Sequence, residues 1–160
     1  MVILEGLAMS FWLLLVCVVG IANGPIGLVV FYEQDVKDRV IELGLTTKEK
    51  MKKSAIQTGI ALFIPVLIGV PLLVYFVNGA RGFWDGFTQM AIIYLIMNLF
   101  DRFFIDWYWV GNTKAWDIEG TEDLKPYIPK KTLLLKWFGT IAVYPTFAAS
   151  IAHIFNLFGM

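Results

Sequence analysis

Two aspartates and one arginine lie in a part of the chain that is otherwise apolar. About fifteen uncharged residues run from Gly86 to the first of them, Asp101, and they make only roughly 22 Å of helix. A helix needs about 20 residues to cross a ~30 Å bilayer core, so a spanning helix here carries Asp101 and Arg102 into the membrane. Ionisable residues inside membranes mark pathways or reaction sites. Asp101 and Asp106 are therefore candidate catalytic bases.

Helical spacing decides how these three charges pair. Arg102 and Asp106 are four residues apart, which puts them on one side of a helix and lets them form an ion pair. Asp101 is then left over, and an unpaired charge at this depth costs at least ~2.5–3.5 kcal/mol. It must find a donor, share Arg102 or stay protonated. We expect Asp101 to be the ion or proton site, with Arg102 and Asp106 regulating its charge.

The same helix is predicted to have one polar and one apolar face. With about 100° between consecutive residues, its polar side chains fall within an arc of about 140°. The polar face holds Tyr94, Asn98, Asp101, Arg102 and Asp106, and the apolar face holds Ile92, Ile93, Ile96, Phe100, Phe103 and Phe104. We expect Tyr94 and Asn98 to support the site, and the apolar face to meet lipid.

Composition and long uncharged runs predict the fold class. Of the 160 residues, 58% are hydrophobic and 16% are charged, and the mean hydropathy is +0.70; this is far from the balance of a soluble domain. The sequence predicts an all-α integral membrane four-helix bundle, formed as a single transmembrane domain over residues 1–160. The predicted spans are residues 7–32, 54–78, 87–109 and 137–158.

Basic residues are concentrated in two of the three connections. Connections 33–53 and 110–136 hold every Lys and Arg except Arg81 and Arg102. Because positively charged connections stay on the cytoplasmic side, the pattern predicts both of them inside and both termini outside. The predicted outer segments contain no N-x-S/T acceptor, which is compatible with a bacterial cytoplasmic membrane.

The first span contains Asn23-Gly24-Pro25, which predicts a kink or a break. Proline lacks a backbone donor and disfavours α geometry in the residue before it. Two interpretations remain open. In the first, neighbouring helices repair a kink; in the second, the helix is discontinuous and its freed carbonyls line a cavity, as in transporters. In the second case Asn23 approaches the charged residues of span three.

A short amphipathic helix is predicted over Gln34 to Leu43. Its apolar residues lie near one face among several charges, which favours a position on the inner membrane surface. Thr46 and Glu49 have the spacing of a capping box, so the next helix is expected to begin near Thr47.

The connection before span four contains four further candidate residues, Asp117, Glu119, Glu122 and Asp123. Together these carboxylates could hold a divalent cation or position a cationic substrate. They lack the fixed spacing of a known cation-binding loop, so a solvated loop is the favoured interpretation. We predict no metal site.

The sequence also narrows the chemistry. A single cysteine, Cys17, and a single histidine, His153, exclude a cysteine metal cluster and bis-histidine haem ligation within the chain. His153 lies near the outer end of span four, too far to serve Asp101 directly. Hydrolase and nucleotide-binding motifs are absent. We therefore predict no cofactor and no nucleic-acid partner.

The layout of four short-looped spans with both termini outside is similar to that of the membrane-associated eicosanoid and glutathione metabolism proteins. The resemblance is in size and topology. Span two here contains no charge after Lys53, so the basic glutathione-binding pattern of that family is missing and no residue role is carried over.

Three functions fit these predictions. The first is an oligomeric channel or transporter whose intramembrane acidic and arginine site lies in the cytoplasmic leaflet; a homo-oligomer is expected because the polar face needs a cover. The second is a membrane-embedded enzyme that acts on an amphipathic or lipid substrate at the inner leaflet. The third is an accessory subunit whose charges pair with a membrane-protein partner. Membrane lipids are expected partners in all three cases.

Overall fold

The computed structural model describes residues 1–160 and is all-helical, with no strand. It contains five helices, joined in part by short 3₁₀ turns. They are α1 (Val2–Ile21), α2 (Gln34–Glu42), α3 (Lys48–Val77), α4 (Gly82–Val110) and α5 (Lys130–Leu157); 3₁₀ turns cover Pro25–Phe31 and Glu122–Leu124. Helices α1, α3, α4 and α5 are long and apolar enough to cross a membrane.

The four long helices alternate in direction, so the chain termini and the α3–α4 turn lie at one end of the bundle and the other two connections lie at the opposite end. The two ends differ in chemistry. At one end the chain termini meet the α3–α4 turn: Asn78 donates to Glu5, and the Gly82 N–H donates to the Met160 carbonyl. We call this the terminal end. The other end carries the two lysine-rich connections and is called the basic end. Helix α4 lies between α1 and α5 and packs along both.

The break predicted in span one is present. Helix α1 ends at Ile21, earlier than the predicted span 7–32, and the chain continues as a separate 3₁₀ turn. Gly24 has a φ of 101°, a conformation that favours glycine, and it directs the following segment back onto α1. The contact is so close that a Cβ at Gly27 would overlap the Gly20 carbonyl oxygen. The Ser54 hydroxyl of α3 donates to the Gly27 carbonyl at 2.6 Å.

Proline 65 of α3 frees a carbonyl that a neighbouring helix then satisfies. An N–H at position 65 would bond the carbonyl of Ala61 in an α-helix, but proline has none. The indole Nε1 of Trp12 on α1 donates to that oxygen at 2.9 Å. One polar side chain thus ties α1 to α3 at the point where α3 lacks a backbone donor.

Pro71 has the same effect six residues later. The Val70 N–H bonds the Pro65 carbonyl in a π turn over Pro65–Gly69, and position 71 has no N–H. Val66 therefore loses both of its backbone donors. The hydroxyl of Tyr94 on α4 donates to the Val66 carbonyl at 2.8 Å, and Tyr94 is fully buried. Buried carbonyls need such partners.

Two hydrophobic cores divide the bundle. The core toward the terminal end joins α3, α4 and α5; it contains Val66, Val70, Val74, Tyr75, Ala80, Met90, Ile93, Tyr94, Met97, Ala148 and Ala152. The core at the basic end joins α1, the 3₁₀ turn, α2, α4 and the segment before α5; it contains Cys17, Leu28, Val29, Tyr32, Val36, Val40, Ile105, Trp116, Ile118 and Tyr127. Ile93, predicted to face lipid, is fully buried because it packs in the first core.

The amphipathic helix is confirmed, but its apolar face covers protein. Val36 and Val40 of α2 are fully buried in the core at the basic end, so they are not free to lie on a membrane surface. The helix cap after α2 also differs from the capping-box prediction. Thr47, not Thr46, is the N-cap of α3, and its hydroxyl accepts from the Lys50 N–H at 3.3 Å.

We expect Tyr94→Phe to lower the free energy of unfolding by about 1–3 kcal/mol, because the buried Val66 carbonyl loses its donor. In a Pro71→Ala background the cost is expected to fall, since residue 71 then supplies an N–H to the same carbonyl. Denaturant unfolding of the four variants in detergent micelles gives the coupling. Equal cost in both backgrounds would refute the assignment, and Tyr108→Phe on the exposed side is the control.

Candidate functional site

Four charged side chains from two helices meet near the basic end. Helix α4 supplies Asp101, Arg102 and Asp106, and α5 supplies Lys136. We call these four residues the charged quartet. Arg102 Nη1 lies 2.6 Å from Asp106 Oδ2, and Lys136 Nζ donates to Asp106 Oδ1 at 2.6 Å. Arg102 Nη2 pairs with Asp101 Oδ2. The predicted pair of Arg102 and Asp106 is confirmed, and Asp101 shares the same guanidinium.

Two of the four charged side chains are almost completely buried, so the pairing matters for stability. The side chains of Arg102 and Asp106 are 5% and 3% exposed, whereas those of Asp101 and Lys136 are 22% and 35% exposed. Two carboxylates face two cations, so the formal charge of the quartet is zero. Removing one partner of a buried ion pair leaves an uncompensated charge, which is strongly destabilising.

The quartet is not saturated with hydrogen bonds. Arg102 Nε is buried without an acceptor, and Arg102 Nη1 and Asp106 Oδ2 are close to each other but are not aligned for a hydrogen bond. Asp101 Oδ1 makes no hydrogen bond within the chain. A buried polar group without a partner costs about 1–3 kcal/mol. The site therefore has free hydrogen-bonding capacity at Arg102 and Asp101.

The helix carrying the quartet changes geometry at the first charged residue. From Asp101 to Val110, α4 is a π-helix, and the Gly111 N–H bonds the Asp106 carbonyl five residues back. The predicted arc assumed α geometry, which ends at Phe100. The predicted division of faces nevertheless holds beyond that point, because Arg102 and Asp106 are buried whereas Phe103 and Phe104 are exposed. π-helical segments are rare in proteins, and those that occur are often found at functional sites. The wider turn also keeps Arg102 and Asp106 together on the buried side.

Two other predicted residues, Tyr94 and Asn98, lie before the quartet on α4 and hydrogen-bond to groups other than its four charged side chains. The Asn98 side-chain amide donates to the Tyr94 carbonyl at 2.8 Å, and its oxygen lies 3.5 Å from the Thr140 hydroxyl. Thr140 lies one turn beyond Lys136 on α5, and its single hydroxyl proton is directed either to the Asn98 oxygen or to the closer Lys136 carbonyl at 3.1 Å. Tyr94 and Asn98 thus join α4 to α3 and α5 just before the charges.

The predicted loop carboxylates do not form a site. Asp117 pairs with Lys125 at 2.6 Å, and this hydrogen bond raises the pKa of the Lys125 ammonium. Asp123 pairs with Arg39 of α2 at 3.2 Å. Glu122 accepts from the Gly120 N–H at 3.0 Å, and Glu119 is exposed. Nowhere in the chain do three or more His, Cys, Asp or Glu side chains gather as in a metal site.

Glu119, Glu122 and Asp123 are exposed to solvent, as the favoured interpretation expected, but the segment that bears them is folded. In residues 111–129, called the cover loop, Trp116, Ile118, Thr121 and Tyr127 are buried. Tyr32 donates to the Trp116 carbonyl at 2.6 Å. Aromatic and aliphatic packing against α2 therefore fixes the cover loop over the basic end.

Three adjoining cavities lead from the cover loop into the bundle. The mouth cavity, about 630 Å³, lies between the cover loop and Asp106. The charged cavity, about 240 Å³, shares Asp106 and Tyr127 with it and is lined by the whole quartet and Cys17. The apolar cavity, about 150 Å³, shares Asp101 with the charged cavity. Its other lining residues are hydrophobic: Met9, Trp12, Leu13, Leu62, Phe63, Val66, Met97 and Tyr144.

Two residues considered from the sequence lie outside the site, and one residue that was not predicted belongs to it. Asn23 is exposed in the turn after α1 and lines none of these cavities, because the chain folds back at Gly24. His153 is exposed on the last turns of α5, near the terminal end. Lys136 was missed as a site residue. Its position at the start of span four, antiparallel to span three, was the signal that could have placed it beside Asp106.

No protein-family model, curated protein sequence or solved structure matches this chain. The similarity in layout to the membrane-associated eicosanoid and glutathione metabolism proteins therefore gains no support from sequence or fold.

Arg102→Met is expected to lower the free energy of unfolding by about 3–5 kcal/mol, because two carboxylates are then left with Lys136 alone. Adding Asp101→Asn should recover part of that loss, since the remaining Asp106 and Lys136 balance. Thermal unfolding in detergent measures both variants. The exposed Arg81→Met is the control, with a cost below ~0.5 kcal/mol. A double variant no more stable than Arg102→Met would contradict the pairing scheme.

Proposed function

We propose that this chain is a membrane-embedded enzyme whose substrate site is the charged cavity. The observation that carries the proposal is the convergence of two carboxylates and two cations on a cavity of about 240 Å³ beneath a folded loop. Clustered ionisable groups in a partly closed cavity are the usual setting for acid–base catalysis.

The free atoms of the quartet suggest the roles. Asp101 is the proposed general base, since Oδ1 is free and its side chain is the more exposed of the two carboxylates. The unpartnered Nε–H of Arg102 is a donor for negative charge that develops on the substrate. Asp106, which is itself paired with Lys136, also pairs with the guanidinium and helps to hold it in place. The reaction class is proton transfer to and from a polar group of the substrate.

A conducting pore through one chain is a weaker proposal. Beyond the apolar cavity the bundle is filled by fully buried residues, among them Tyr75, Met90 and Ile93. The polar face of α4 is also covered by α5 and the cover loop, so it gives no reason of its own for a homo-oligomer. The channel, transporter and homo-oligomer hypotheses therefore stay predictions.

An accessory subunit is likewise less well supported. That hypothesis needs intramembrane charges that wait for a partner helix. Here Asp101, Arg102 and Asp106 already have partners inside the chain, including Lys136 from α5. No unpaired buried ion is left to explain by a second protein.

The basic end is proposed to face the cytoplasm, because it carries most of the lysines. We expect Arg81→Cys, in a Cys17→Ala background, to react with a membrane-impermeant maleimide in intact cells. Lys114→Cys should react only after the membrane is opened. The reverse pattern would place the site on the outer side. The control is the cysteine-free Cys17→Ala protein, which should not be labelled under either condition.

Turnover tests the enzyme proposal. Purified protein in lipid nanodiscs is incubated with a total membrane lipid extract, and the lipid species are followed by mass spectrometry. We expect at least one species to be converted by the native protein and the rate to fall at least 100-fold in Asp101→Asn, since general-base catalysis contributes roughly 10²–10⁴. Asp85→Asn, exposed at the terminal end, is the matched control. No conversion by folded protein, or equal rates in Asp101→Asn, would overturn the proposal.

A further inference from the structure

Resting on the proposed substrate site, we infer the class of its ligand: a membrane amphiphile with a head group of zero net charge, whose apolar chain leaves the bundle between α1 and α3. The inference depends on the apolar cavity and on the charge of the quartet.

The apolar cavity extends the proposed site by an apolar compartment that a water-soluble substrate has no apolar part to fill. It joins the charged cavity at Asp101, and every other residue that lines it is hydrophobic. A polar group held by the quartet would therefore have an apolar compartment directly beside it. A molecule with a polar and an apolar part fits both compartments, because burying apolar surface in the second is favourable.

The apolar cavity lies at the side of the bundle. Trp12 of α1 and Phe63 of α3 line it, and their side chains are 41% and 57% exposed. With a volume of about 150 Å³, it is too small to enclose a long acyl chain. The rest of such a chain would pass between these two aromatic residues into the surrounding lipid. The bond from Trp12 Nε1 to the Ala61 carbonyl holds the two helices together beside this opening.

The charge of the quartet favours a neutral or zwitterionic head group. Its two carboxylates and two cations already balance. A ligand with a net charge would add an uncompensated ion beside the buried Arg102 and Asp106 side chains, which is unfavourable. Hydroxyl groups or a zwitterion instead find both the free Asp101 oxygen and the free Arg102 Nε–H.

Cys17 provides a direct readout of ligand binding. It is the only cysteine, it is buried, and it lines the charged cavity. The rate of its alkylation by N-ethylmaleimide in detergent is measured with four amphiphiles that share an oleoyl or oleyl chain: monoolein, oleoyl lysophosphatidylethanolamine, oleate and oleylamine. Glycerol and phosphoethanolamine are the probes without a chain.

We expect monoolein or the lysophosphatidylethanolamine to slow alkylation at least fivefold, and oleate, oleylamine and both chain-free probes to slow it less than twofold. In Leu62→Trp, which fills the junction of the charged and apolar cavities, the protection should disappear. Leu67→Trp, on the same helix but away from the three cavities, should retain it.

Each contrary result has a distinct meaning. Equal protection by phosphoethanolamine or glycerol would make the ligand water-soluble and overturn this inference, while the substrate site itself would stand. Stronger protection by oleate or oleylamine would overturn the assignment of head-group charge. Absence of protection by every amphiphile would overturn the inference entirely, and the turnover experiment would still decide the enzyme proposal separately. Unchanged protection in Leu62→Trp, with thermal unfolding showing a folded variant, would refute the path of the chain.

Discussion

A single buried guanidinium organises the basic end of this bundle. Arg102 lies between Asp101 and Asp106, and Lys136 completes the balance from the neighbouring helix. Because a lone charge at this depth is so unfavourable, α4 and α5 must stay at the distance and register that keep the four groups together. The cavities and the cover loop are arranged around this constraint, and Asp106 borders two of the three cavities.

Because of its prolines, helix α3 also depends on its neighbours for hydrogen-bond donors. Pro65 and Pro71 leave the carbonyls of Ala61 and Val66 without their usual backbone donors, and Trp12 and Tyr94 supply side-chain donors from α1 and α4. These bonds fix α3 at two points along its length, beside the apolar cavity that Trp12 and Val66 line. The same helix can therefore bend and still be fixed in position, which is how prolines are tolerated in apolar helices.

The sequence predicted the parts of the structure that follow from local pattern. The long apolar runs predicted the four long helices, and the Asn23-Gly24-Pro25 segment predicted the break after α1. The four-residue spacing predicted the ion pair of Arg102 and Asp106. It did not predict contacts made across the chain. The role of Lys136, the buried face of α2 and the folded cover loop all depend on residues far apart in sequence, such as Tyr32 and Trp116. The π geometry after Asp101 has no local signal and was not predicted, although the predicted division into buried polar and exposed apolar residues holds there.

The most direct test of this account is the coupling between Asp101 and Arg102, measured by thermal unfolding of the native protein, the two single variants Asp101→Asn and Arg102→Met, and the double variant. The account predicts that the double variant is more stable than Arg102→Met, because its remaining charges balance. Additive losses, with the double variant less stable than either single variant, would contradict the claim that a shared buried cation holds the site together.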